Sequence, residues 1–314
     1  MEAKKYTMPE TNIVNDVVIN DYSQVLDRFN KTAVFLKNEF IHGGHWLSLG
    51  GAAFAISIML MLNTTFNYEL ILIIYLLCLF VYSFDHYISI EEDKEDNPER
   101  TEHLEKYKKL FPMIAAVYGS LLIGLLWYYG NVLSLLIGIL ILSIGILYSI
   151  GLKNLTKKIV GFKNIYTSFS VSLLVILISF HIGLNLNLAS FVIAAFIFLR
   201  LFINSSFCDL KDIRSDKKKN LKTFPIYFGK KKFLLFLHVL HVASLLCIVM
   251  GIVLDILPFF TIFLLFSFPI VLFYLDKAKN TDVEIEHLSS KFVDGEFILW
   301  PLFLFCGKFI VTLI

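Results

Sequence analysis

Long apolar runs separated by short polar breaks dominate the chain. Nine such runs fall near 46–64, 67–84, 111–129, 131–149, 164–184, 188–207, 232–254, 256–275 and 293–313. A helix needs roughly 17 to 25 mainly apolar residues to cross a bilayer, so each run predicts a membrane-spanning helix. The runs are continuous rather than alternating, which excludes a transmembrane β-barrel. The pattern therefore predicts an all-α, polytopic membrane protein with about nine transmembrane helices. No linker divides residues 46–314, so they are expected to form one domain. Residues 1–45 are mostly polar, contain no apolar core of a cleavable signal peptide, and are expected to precede that domain on the cytoplasmic side. Within them, Tyr22, Val25, Leu26, Phe29, Val34, Phe35 and Phe40 recur at helical spacing over 20–41. Such a helix either lies along the membrane surface or packs on a cytoplasmic loop.

Composition supports this picture. Hydrophobic residues make up 57% of the 314 and charged residues 17%, with a mean hydropathy of +0.72. A soluble domain carries about 25% charge. Charge placement adds a topology. Of 28 Lys and Arg residues, all but Arg200 and Lys308 lie in the N-terminal segment or in the loops after spans 2, 4, 6 and 8. The loops after spans 1, 3, 5 and 7 contain none. By the positive-inside rule the N-terminus and the four long loops are expected to be cytoplasmic. Cys78, Cys208, Cys247 and Cys306 show no paired spacing and read as small apolar residues.

The loop after span 6 carries the strongest chemical pattern, running from Asp209 through Asp212 and Asp216 to Lys222, Thr223 and Gly229. The three aspartates sit at i, i+3 and i+7, which places them on one face of a continuous helix. Clustered carboxylates repel one another, and a divalent cation removes the conflict. Mg²⁺ is held by a few carboxylates together with phosphate oxygens. Five lysines and one arginine in the same segment suit a polyanion. A diphosphate carried on a lipid fits both features. The loop after span 2 repeats the acidic theme. Asp85 closes the span, and Ser89, Glu92, Asp93 and Asp96 follow on a shared face, with Pro98 expected to end that helix. An acidic loop recurring after four spans suggests two similar four-helix halves with span 9 added. The loop after span 4 contributes Tyr148, Ser149 and Lys153. Asn204, placed one turn above Asp209, is expected near the same site. His42 and His45 read as interface residues, His238 and His241 as structural hydrogen-bonding groups, and the acidic loop after span 8 as one without chemistry.

Together these features resemble the UbiA superfamily of intramembrane prenyltransferases, over roughly residues 45 to 313. That family has nine transmembrane helices, aspartate-rich motifs after helices 2 and 6, and a Tyr/Lys loop after helix 4. Asp212-x-x-x-Asp216 followed by Lys222-Thr223 matches the second motif, and Tyr148-Ser149 with Lys153 the helix-4 loop. The first motif departs from the usual Asn-Asp-x-x-Asp-x-x-x-Asp. With Asp85 as its central aspartate, Val81 and Tyr82 replace the leading pair and Ser89 the last aspartate. With Asp93 last, Asp85 takes the Asn position and Ser89 the centre. The first register leaves His86 where the family often has a basic residue. The resemblance implies Mg²⁺-dependent transfer of an isoprenyl group from its diphosphate to a lipophilic acceptor within the membrane. Asp209, Asp212 and Asp216 would hold one metal, and Asp85 with Glu92 or Asp93 the other. Asn204, Tyr148, Lys153, Arg214, Lys222, His86 and Arg100 would bind substrate. Membrane lipids are implied as surroundings, and nucleic acid is not an expected partner. Two rival readings keep parts of the pattern. A cyclase would ionise the prenyl diphosphate without an acceptor, and a lipid-binding or transport protein would do no chemistry.

Overall fold

A computed structural model describes residues 28–94, 97–280, 285–293 and 295–313. Among these residues the chain is helical and forms no strand. Span 1 is His45–Met61, followed by span 2 (Tyr68–Ile88), span 3 (Phe111–Tyr129), span 4 (Val132–Ile150) and span 5 (Phe162–His181). Span 6 is Leu188–Cys208, span 7 Lys230–Val253, span 8 Phe259–Lys279 and span 9 Glu296–Leu313. Eight of these are long and apolar enough to cross a membrane on their own. Span 1 becomes the ninth when joined to the preceding helix Arg28–His42, from which it is bent by 55°. The chain is an integral membrane protein.

The spans form a closed ring. Span 1 packs on spans 2 and 9, span 2 on spans 3 and 4, and span 4 on span 5. Span 6 packs on spans 5 and 7, and span 8 on spans 7 and 9. Asparagines start three of the helices. The Asn67, Asn131 and Asn187 side chains accept hydrogen bonds from the backbone N–H of Leu70, Ser134 and Ser190, three residues on. These caps satisfy helix-end donors that the membrane boundary would otherwise leave unpaired. All three lie in the short loops, at the end of the bundle opposite the acidic loops.

A charged group inside a membrane survives only when it is paired. Arg200, on span 6, is 1% exposed. Its Nε donates to Glu296 Oε1 of span 9 at 3.0 Å, and its other nitrogens reach His241 of span 7 at 3.4 Å and Ser267 of span 8 at 3.3 Å. Its guanidinium also lies over the Phe268 ring at 4.6 Å. This cluster ties spans 6 to 9 together. His241 and His238 both make structural hydrogen bonds, the latter to the Leu234 carbonyl and to Asp276. The four cysteines form no disulfide with one another.

The helix Arg28–His42 packs on the loop after span 2. Phe35 meets the rings of His103 and Tyr107 at 5.9 and 6.0 Å, and Glu39 accepts a hydrogen bond from His103 at 2.9 Å. Phe29, Val34, Leu36 and Ile41 stay exposed. Tyr22, Val25 and Leu26 lie outside the described residues.

Candidate active site

Neither acidic loop is the continuous helix that its spacing predicts. Span 2 ends at Ile88, where the Ser89 hydroxyl turns back to donate to the Asp85 carbonyl at 2.6 Å. A single turn, Ile90–Asp93, follows. Pro98 then opens the helix Pro98–Glu105 rather than ending one, because its missing N–H costs nothing at a first helical position. Asp96 lies outside the described residues. After span 6 the backbone turns at Asp209, and a new short helix runs over Ile213–Lys218. Burial of Leu210, 4% exposed among Phe202, Phe207 and Tyr274, draws the chain round. Asp209 therefore closes the span, Asp212 stands just before the next helix without a side-chain cap bond, and Asp216 lies within that helix.

These breaks aim both loops into one polar cavity of about 570 Å³. Asp85, His86, Glu92, Asp93 and Arg100 line it from the first loop, Tyr148 and Lys153 from the end of span 4, and Asp212 and Asp216 from the second loop. Lys211 and Lys219, from the cationic segment noted in the sequence, also line it, as do Lys157 and Lys163, which sequence reasoning did not single out. Backbone hydrogen bonds fix the loop after span 6 to the loop after span 4. Lys222 N–H donates to the Thr156 carbonyl at 2.9 Å, and Gly161 N–H donates to the Lys222 carbonyl at 2.8 Å. Gly161 has φ 64°, and a Cβ there would lie 1.9 Å from the Phe224 ring, so only glycine fits this clamp.

Cations already compensate most of the carboxylates. Arg100 donates to Asp93 at 2.6 Å, and Lys153 to Glu92 at 2.7 Å. Lys163 lies 2.6 Å from Asp209 and 3.9 Å from Asp216. The other Asp209 oxygen accepts from the Asn164 amide at 2.7 Å. Asp216 Oδ2 is buried without a hydrogen-bond partner. Burial pushes the Asp216 carboxyl up to about 6, with Asp209 and Asp212 adding to the rise and Lys163 opposing it. Among the described residues no three Asp, Glu, His or Cys side chains converge as a ready metal site.

Four residues singled out from sequence do not line this cavity. Asp209 is 1% exposed with both oxygens engaged, so it stands behind the wall. Asn204 donates to the Val293 carbonyl at 2.6 Å and lines a separate small cavity. Five residues at 100° each put it about 140° round the helix from Asp209, not on the same face. Arg214 is exposed and points away from the lining, and Lys222 reaches the Lys158 carbonyl at 3.3 Å.

An apolar cavity of about 250 Å³ adjoins the polar one, and Asp85 and Tyr148 line both. Leu77, Val81, Tyr82, Ile141, Tyr166 and Leu174 contribute to its walls. The Tyr148 and Tyr166 rings stack at 5.3 Å between centroids.

The sequence model of the UbiA prenyltransferase family matches residues 46–287. The chain belongs to that family. No curated protein matches it. Among solved structures, a UbiA homologue from Aeropyrum pernix K1 is similar at TM-score 0.60 and 14% identity, covering 85% of this chain and 98% of that one. A homologue from Archaeoglobus fulgidus gives 0.59 and 17%, covering 85% and 96%. The A. fulgidus homologue bound to GPP and Mg²⁺ gives 0.55 and 15%, covering 83% and 95%. At these identities the likeness establishes the fold. It agrees with the nine spans read from hydropathy.

Proposed function

We propose that the protein transfers an isoprenyl group from its diphosphate to a lipophilic acceptor within the membrane, with Mg²⁺ as cofactor. The supporting observation is the junction of the two cavities at Asp85 and Tyr148. A charged head and an apolar tail can occupy adjoining spaces there, with the scissile bond between them. Family membership and the Mg²⁺- and GPP-bound homologue point the same way.

The donor set fits Mg²⁺. Every acidic lining group offers oxygen, and Mg²⁺ at phosphate sites needs only one or two carboxylates plus substrate oxygens. Among the described residues no three carboxylates converge, in keeping with that number. Asp212 and Asp216, including the Asp216 Oδ2 that accepts no hydrogen bond, would hold the ion on one wall, and Asp85 with Asp93 or Glu92 on the other. Asp209 leaves the ligand set proposed from sequence, because Lys163 and Asn164 occupy it. Bound Mg²⁺ supplies charge neutralisation as the diphosphate departs.

The chain's own residues do the rest. Lys153, Lys157, Lys211, Lys219 and Arg100 present fixed positive charge to the diphosphate oxygens, and stabilise the charge that grows on them as the allylic C–O bond breaks. His86 lies 3.4 Å from Arg100 and positions it. Tyr148 and Tyr166 offer ring faces to the carbocation. The apolar walls exclude water, leaving the acceptor as the nucleophile. The test is incubation of the purified protein with C10, C15 and C20 diphosphates and Mg²⁺, with and without a membrane lipid extract, followed by mass spectrometry. Prenylated lipid formed only with extract supports transfer. A hydrocarbon or alcohol formed without it indicates cyclisation, and no diphosphate release refutes both.

A further inference from the structure

The apolar cavity has a definite depth. Its deepest lining residues on spans 2, 4 and 5 are Leu77, Ile141 and Leu174. Leu77 lies eight residues from Asp85 (85 − 77), Ile141 eight from Ser149 (149 − 141), and Leu174 eight from Tyr166 (174 − 166). At 1.5 Å of rise per residue, each wall is about 12 Å deep. Three helices thus agree on one floor. Leu77, Ile141 and Leu174 are all buried and belong to the main apolar core, so packed core side chains form this floor. One turn below Ile141, Leu126 packs so tightly on Gly138 that an added Cβ would lie 2.7 Å from it. The small cavity bearing Asn204 branches off higher up, at Cys78 and Val171. Tyr82 also lines both, and the branch is small, about 60 Å³, with Gly51 packed against Cys78 on its wall.

We propose that Leu77, Ile141 and Leu174 set the length of the prenyl donor at two isoprene units, a C10 chain. This rests on the reading that the apolar cavity takes the prenyl tail. An isoprene unit adds four chain carbons, about 5 Å at ordinary bond lengths near 1.5 Å. Two units reach about 10 Å and fill the depth. Three reach about 15 Å and overrun the floor, where close-packed side chains cannot yield by that much. One unit leaves the lower half of the cavity unfilled and forgoes its apolar contact.

Binding tests this without an acceptor. The full-length protein in lipid nanodiscs is titrated with Mg²⁺ and the unreactive S-thiolodiphosphates of C5, C10, C15 and C20 chains, with inorganic diphosphate as the tail-free control. The C10 analogue should bind at least about tenfold more tightly than the others, a gap of one decade in Kd. Leu77→Ala and Ile141→Ala deepen the floor and should move the optimum to C15. Ser170→Phe intrudes half-way down, where the wall residue lines open space, and should move the optimum to C5. Because it fills space rather than emptying the core, it guards against a misfolded Leu77→Ala. Tighter or equal binding of C15 or C20 by the unaltered protein overturns the inference, as does an optimum unmoved in both Leu77→Ala and Ser170→Phe. Inorganic diphosphate binding with no gain from any tail overturns it while sparing the polar site. No binding by any diphosphate overturns the transfer reading as well.

Discussion

Lys163 is the residue whose removal the structure makes most informative. Its ammonium bridges Asp209 at 2.6 Å and Asp216 at 3.9 Å, and its side chain is 25% exposed. Lys163→Met keeps the aliphatic bulk and strands two buried carboxylates. Breaking a buried ion pair from one side costs about 3 to 5 kcal/mol. The partial exposure of the lysine favours the lower end, about 3 kcal/mol. At roughly 2 °C per kcal/mol for a chain of this size, the unfolding midpoint should fall by about 6 °C. The loss has a pH signature. The Asp216 carboxyl already titrates near 6, raised by burial, and Lys163→Met raises it further. A carboxyl raised in the folded state contributes stability below its unfolded pKa that is lost as pH rises through its folded pKa. The gap between variant and unaltered protein should therefore widen from pH 5 to pH 8. The assay is thermal unfolding in detergent across that range. Lys163→Met/Asp209→Leu should recover part of the loss, because it removes the stranded charge as well. A midpoint for Lys163→Met within 1 °C of the unaltered protein at pH 8 would refute the argument.

Further outcomes follow from the same geometry. If Asp216 holds Mg²⁺ as proposed, proton and metal compete for it, so Mg²⁺ affinity measured by calorimetry should be flat above about pH 7. It should fall by about tenfold per pH unit below 6, the slope of one proton exchanged per ion; pH-independent affinity from 5 to 8 would remove Asp216 from the ligand set. Single cysteines at Asp93, Lys158 and Lys218, in a background lacking the four native cysteines, should resist an impermeant thiol reagent added outside intact cells. Cysteines at Asn131 and Asn185 should react with it. Labelling of Asp93 and Lys218 positions from opposite sides would contradict the shared cavity.

The spans were legible because their signal is local: a run of apolar residues of bilayer length needs no partner to be read. The acidic loops were legible for the same reason, as were Tyr148 and Lys153. Relations across the fold were not. Lys163 reads as an ordinary flanking cation of span 5, and its partner Asp209 lies 46 residues away (209 − 163). Arg200 stands out as a charge within a span, yet nothing near it announces Glu296, 96 residues on. The three-aspartate face failed because spacing presumes a continuous helix, and burial of Leu210 breaks it.

If carboxylates from both loops serve one diphosphate, as proposed, its release should depend on both walls of the polar cavity. Asp85→Asn and Asp212→Asn each keep shape and remove one charge from opposite walls of the polar cavity. With C10 diphosphate, Mg²⁺ and lipid extract, each should lower the rate of release by at least about a hundredfold, on the order of 3 kcal/mol of barrier. Normal release from either variant would contradict a site built from both loops.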